Sequence, residues 1–301
     1  MGSLVLAFGI AATLSAPPAA AARSRQQTFD SPERAVDAIV AAARSGRAAS
    51  LLEILGPQGK KLVISGDPVA DRQGRSRFVA AYGKKHSIER QGADKAVLLI
   101  GDEQWPFPIP MVKTGTLWRF DTAAGAREIL ARRIGRNELN AIEVCRAYVD
   151  AQRDYATKDR NGDGLREYAQ KFVSGPGKHD GLYWPAKPGE EPSPLGPLVA
   201  QARAAGYGGR GKHAPYQGYY YKILTRQGKN AAGGAHDFVA HGHMIGGFAL
   251  VAFPAQYGAS GVMTFIVNQD GVVYEKNLGP RTATLARHMT TFDPDPSWRK
   301  P

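Results

Sequence analysis

The sequence predicts an α+β protein. N-terminal helices lead into an antiparallel sheet of cone-like form, and a long helix then packs on an antiparallel β-meander. Three observations carry this reading. Apolar residues recur at helical spacing over residues 32–55 and again over 137–158. Short strand-like runs bounded by turn residues fill 95–121 and 219–275. The 35 glycines and 20 prolines call for many turns, which a plain helical bundle lacks.

Taken in order, Ser31 caps a first helix, Pro32 suits its first turn and Glu33 favours its positive end; Val36, Ile39, Val40 and Ala43 form its apolar face, and Gly46 closes it. Leu51, Leu52, Ile54 and Leu55 predict a second short helix ending at Gly56-Pro57, and Phe78 and Tyr82 mark a third over 75–82. Strands are expected over 95–100, over 108–113 with prolines that suit an edge, and over 117–121 beyond a turn at Gly115. This order resembles the cone-shaped nuclear-transport-factor-like and cystatin-like folds, an analogy of fold that implies no chemistry. Residues 123–158 read as helical with a break at Gly135. Later strands are expected over 219–225, 237–240, 247–253, 262–267 and 272–275, with a hairpin turn at Asn268-Gln269-Asp270-Gly271. The expected division is residues 1–22 as a signal peptide, 27–135 as an α+β domain, and 136–298 as a domain of long helix and antiparallel sheet.

Long, unusual segments carry a family resemblance: WPFPIPMVK (105–113), ARRIGRNELNAI (131–142), GDGLREYAQKF (162–172), PYQGYYYKIL (215–224) and MIGGFALVAFPAQYGASGVMTFIVNQDGVVYEKNLGP (244–280). They resemble the bacterial domain of unknown function 2950 family over roughly residues 27–298. The resemblance implies an exported protein and brings no established activity and no catalytic residues. Residues 137–280 are also similar to the globular part of type IV pilin-like and pseudopilin proteins, although here a folded region precedes the helix.

The compartment is read from the start of the chain. Residues 4–14 form a short apolar run, and Ala20 and Ala22 satisfy the small-residue rule for cleavage after Ala22, so a periplasmic or secreted location is expected. No later stretch has the roughly 18 consecutive apolar residues that a spanning helix needs. The net charge is +12, none of it within residues 1–22. That charge on an exported chain suits an anionic envelope component or envelope protein as partner, while the scattered basic pairs such as Lys60-Lys61 and Arg132-Arg133 read as solvated surface, and no nucleic-acid motif is present. Cys145, the single cysteine, reads as a small buried apolar residue.

The segment 159–167 is the leading metal candidate. Asp159, Asn161, Asp163 and Glu167 place oxygens at positions 1, 3, 5 and 9 of a calcium-loop pattern, Gly164 stands at position 6, and Leu165 offers its backbone carbonyl at position 7. Gln170 replaces the bidentate acid at position 12, so weak Ca²⁺ binding is expected, with Asp180 available to close the shell. His236, His241 and His243 form a second, weaker metal candidate, with Asp237 beside them. Gly206 to Lys212 imitates a phosphate loop, yet His213 stands where Ser or Thr is required. Glu190 and Glu191 read as solvated charge, and Tyr219, Tyr220 and Tyr221 as core and surface of one strand or a glycan-stacking face. No nucleophile, base and orienting group converge, so the expected function is a non-enzymatic binding, scaffold or assembly accessory factor. Two alternatives stand beside it. One is a cell-wall or glycan-acting enzyme using Asp159, Asp163, Glu167 or His243. The other is a small-molecule binder with a cavity near Trp105, Phe107 and Trp118.

Overall fold

The computed structural model describes residues 26–208 and 214–301. The export signal read in residues 1–22 and residues 209–213, which include the end of the GYGGRGK segment, lie outside the described residues. Among the described residues, no helix is long and apolar enough to cross a membrane.

The chain is α+β. Helix α1 (Pro32–Ser45) begins as its residues dictate: the Ser31 hydroxyl accepts from the Arg34 N–H, and Gly46 takes a left-handed conformation (φ 70°) at the far end. Helices α2 (Ala48–Leu55) and α3 (Lys60–Val63) follow. Helix α4 (Pro68–Lys84) starts two turns earlier than its apolar residues indicate. Its first turns, PVADRQGR, lack apolar periodicity. They are held instead by Asp67, whose carboxylate caps the Val69 and Ala70 N–H groups.

Strands β1 (His86–Arg90), β2 (Lys95–Ile100), β3 (Trp105–Pro106), β4 (Met111–Thr114) and β5 (Leu117–Phe120) form one antiparallel sheet in the order β1-β2-β4-β5, with β3 also on β2. The expected edge strand over 108–113 is therefore corrected. β4 is internal, between β2 and β5, and Pro108 and Pro110 precede it in the crossover, where no ladder donor is needed. Helices and sheet enclose a core containing Ile39, Ile54, Leu98, Met111, Trp118 and Phe120.

Helix α5 (Thr122–Tyr155) runs unbroken for 34 residues, about 51 Å at 1.5 Å per residue. The break expected at Gly135 does not occur. A mid-helix glycine costs only about 1 kcal/mol, and the turns around it are fastened on both sides. Before it, the Arg133 guanidinium donates to Lys61 O (2.8 Å) and Leu62 O (2.6 Å). After it, Asn137 donates to Ser260 O (2.9 Å), and Glu138 Oε1 accepts from Val262 N (2.9 Å) and Met263 N (3.0 Å).

Beyond α5 lie an irregular stretch, α6 (Gly196–Ala204), and strands β6 (Tyr219–Leu224), β7 (Arg226–Gln227), β8 (His236–Asp237), β9 (Val239–Ala240), β10 (His243–Met244), β11 (Ala249–Pro254), β12 (Thr264–Asn268) and β13 (Tyr274–Lys276). Helix α7 (Thr282–His288) and β14 (Thr291–Phe292) finish the fold. The main sheet is antiparallel, β6-β11-β12-β13, and every residue of β11 and β12 is buried. The strand expected over 237–240 is split at the buried Phe238. Its N–H donates to Thr225 O and its carbonyl accepts from Gly246 N, so the chain changes partner there. Cys145, Tyr148 and Val149 of α5 pack on this sheet, and buried Gln152 bonds both backbone groups of Ala169 (2.8 Å each), fixing the irregular stretch against the helix.

Candidate functional site

Two places combine unusual chemistry with a defined shape. The first is the loop after α5. Asp159 serves the loop's own backbone: its carboxylate accepts from Gly162 N (2.7 Å) and Gly164 N (2.8 Å), and the Gly164 N–H is foremost in holding it below the usual carboxylate range. Gly162 and Gly164 both have positive φ (78° and 88°), which the tight turn requires. Arg160 is sunk beneath the loop, its guanidinium between the Tyr155 and Trp184 rings and paired with Asp154 and Glu191.

Further along, side chains converge. Asn161 Nδ2 donates to Asp163 Oδ2 (2.6 Å) and Glu167 Oε1 (2.7 Å). His243 Nδ1 stands 3.4 Å from Asp163 Oδ2 and 3.2 Å from Glu167 Oε2. Ligand atoms of Asp163, Glu167 and His243 lie within 4.8 Å of one another. His243 reaches them from the β9–β10 turn. Gln170 ties that turn to the loop by donating to Gly242 O (2.6 Å), and the Met244 N–H also donates to Glu167.

Several sequence candidates stand apart from this cluster. Leu165 is exposed, and its N–H donates to Asp163. Asp180 is occupied by Lys171 (2.6 Å) and Gly175 N, the lysine foremost in lowering its pKa. The His236 ring nitrogens face Gly234 O and Gly246 O, Asp237 pairs with Arg226, and His241 is exposed at φ 52°, so the three histidines do not meet. Glu191 pairs with Lys158 and Arg160, while Glu190 folds back on the Lys187 N–H. The Tyr219 hydroxyl donates to Met263 O, and the buried Tyr221 hydroxyl has no partner among the described residues. Burial pushes the Cys145 thiol up to about 12, which suits an inert core residue.

The second place is a cleft of about 570 Å³ bounded by α1–α5 and by Ala205, Tyr207 and Gln217 of the C-terminal half. Its floor is apolar, with Ile39, Leu55, Val63, Phe78, Phe107 and Ile129 among the lining residues. Five arginines line it as well: Arg75 and Arg77 from α4, and Arg132, Arg133 and Arg136 from α5. Asp71 is the single carboxylate in the lining and accepts from the Ser65 N–H, while Arg132 pairs with Glu128 of its own helix. Burial lowers the Arg133 pKa, and a guanidinium keeps its charge inside proteins. Helix α4 buries none of its residues, because its inward face looks onto this space. Its start is nonetheless fastened: buried Asp67 accepts from the Tyr207 hydroxyl (2.9 Å) and Gly218 N (2.8 Å). The cavity expected near Trp105, Phe107 and Trp118 is thus displaced. Phe107 lines it, Trp118 is buried in the core, and Trp105 is 63% exposed. The convergence of the arginines was not legible in the sequence, because they meet from two helices some 60 residues apart. The local hint was Arg132 and Arg136, one turn apart on one helix face.

No curated protein and no solved structure matches the chain. A family model, described as protein of unknown function (DUF2950), matches residues 26–300. With nearly the whole chain matched, the protein belongs to the DUF2950 family.

Proposed function

We propose that the protein is an envelope binding factor that holds a small amphipathic anion in the arginine-lined cleft. The observation that carries this is the lining itself, an apolar floor with five guanidiniums against one lining carboxylate, only Arg132 having, among the described residues, an ion-pair partner, Glu128, from outside the lining. The volume of about 570 Å³ falls in the roughly 300–1,000 Å³ range of small-molecule sites. An alkyl chain on Ile39, Phe78 and Ile129 removes apolar surface from water. An acidic head among the guanidiniums gains charge-assisted hydrogen bonds and relieves the repulsion between like charges on neighbouring turns of α5. The apolar run and the Ala20–Ala22 cleavage rule support action outside the cytoplasm. The net charge of +12 suits anionic surroundings.

The test is calorimetric titration, below their micelle thresholds, with three probes of equal chain length: dodecyl phosphate, dodecanol and dodecyltrimethylammonium. The phosphate should bind and the cation should not. The double variant Arg75→Glu/Arg136→Glu should weaken phosphate binding at least tenfold, which is about 1.4 kcal/mol. Absence of binding by all three probes would sink the reading.

A further inference from the structure

We infer that Asp163, Glu167 and His243 form a site for a zinc-class divalent cation, independent of the cleft. The case starts from charge. The Glu167 side chain is only 10% exposed, Asp163 is 30% exposed, and among the described residues neither has a Lys or Arg within ion-pair distance. A largely buried carboxylate such as Glu167 needs a compensating charge, yet in a chain carrying a net +12 the pair meets an imidazole, an amide and the Leu165 and Met244 N–H groups, and, among the described residues, no Lys or Arg.

Two of the three ligand separations match a small tetrahedral ion, and all three lie within 4.8 Å. Bonds of about 2.0–2.1 Å place neighbouring ligand atoms roughly 3.3–3.4 Å apart. His243 Nδ1 lies 3.2 Å from Glu167 Oε2 and 3.4 Å from Asp163 Oδ2. A nitrogen donor with two carboxylates selects a borderline metal such as zinc, whereas calcium prefers an all-oxygen shell of six to eight ligands. Asn161 Nδ2 bridges the two carboxylates while its Oδ1 accepts from the Asp163 N–H, so a carboxamide turned over by the ion would give up that bond and present Oδ1 as a fourth donor. The donors are also placed in advance. Met244 N bonds Glu167 and Gln170 bonds Gly242 O, so the loop and the β9–β10 turn are joined before any ion arrives.

The test uses the full chain stripped with chelator and titrated with ZnCl₂, MnCl₂ and CaCl₂ against a chromophoric chelator. One zinc per chain is expected. His243→Ala and Glu167→Gln should each weaken it at least tenfold, while His241→Ala, on the same turn, leaves it unchanged. Calcium binding that survives His243→Ala but is lost in Asp159→Ala would overturn the proposal in favour of a calcium loop. So would zinc binding that depends on His241, or no stoichiometric binding at all. Should a variant fail to fold, ¹⁵N-histidine spectra of the parent decide the matter. Zinc must move the His243 ring resonances, and an unmoved ring refutes the site.

Discussion

From Asn137 to Tyr155, helix α5 buries nine residues against the main sheet and the segments around it; from Thr122 to Arg136 it buries only Thr122 and Gly125. The same unbroken helix is thus core along one half and cleft wall along the other. The difference lies in what faces it. Opposite the second half are β11 and β12, two wholly buried strands with which Tyr148 and Val149 interdigitate. Opposite the first half stands α4, a helix with no buried residue, and the space between them is rimmed with arginine. Close packing gives stability, and a gap lined with like charges gives a place to bind. Here one helix supplies both.

The largest effect that separates the two halves should come from aromatic truncation. Phe265→Ala, in fully buried β12, should cost about 3–5 kcal/mol in urea unfolding. A cost under about 1 kcal/mol would mean that this half is loosely packed. Gly125→Ala comes next, at about 1–3 kcal/mol, because an added Cβ would run into the Pro108 carbonyl and Ile109. Raising the pH should sharpen the contrast further. The Cys145 thiol, ordinarily titrating near 9.0, is pushed up to about 12 by burial on the sheet side. Its folded-state pKa is raised, so its contribution is fully present below about pH 9 and is lost as pH climbs toward 12, by up to about 1.4 kcal/mol per pH unit. Urea midpoints at pH 8 and pH 10.5 should therefore converge partly in Cys145→Ala. Equal alkaline losses in parent and variant would remove the thiol from the account. The smallest effects belong to the cleft side. Gly135→Ala, with nothing within 4 Å of the added carbon, should stabilise by up to about 1 kcal/mol. Phe78→Ala on the cleft wall should cost about 1 kcal/mol or less, measured by the same unfolding.

Local signals made much of the fold legible. The Ser31 cap and Gly46 stop fix α1, and Asn268 to Gly271 turn the chain as their residue types require, with Gly271 at φ 77°. What stayed hidden depends on distant partners. The continuity of α5 rests on Lys61, Leu62, Ser260 and Val262, between 71 and 124 residues from the side chains that bind them. The spacing of Asp159, Asn161, Asp163 and Glu167 suggested a loop folding on itself. It could not show that Asp159 would serve backbone amides, or that His243 would arrive from 76 positions away. The cleft was the least visible feature, because arginines on two helices look like ordinary solvated charge until the helices face each other.

The fastening of α5 has a mechanical corollary. Thr122 grips Leu55 O at the start of the helix, Arg133 grips Lys61 O and Leu62 O, and Asn137 and Glu138 grip the segment Ser260–Met263, so the helix behaves as a beam supported along its length and not as a free arm. A load on Arg132 or Arg136 would therefore be shared by supports on both halves of the chain.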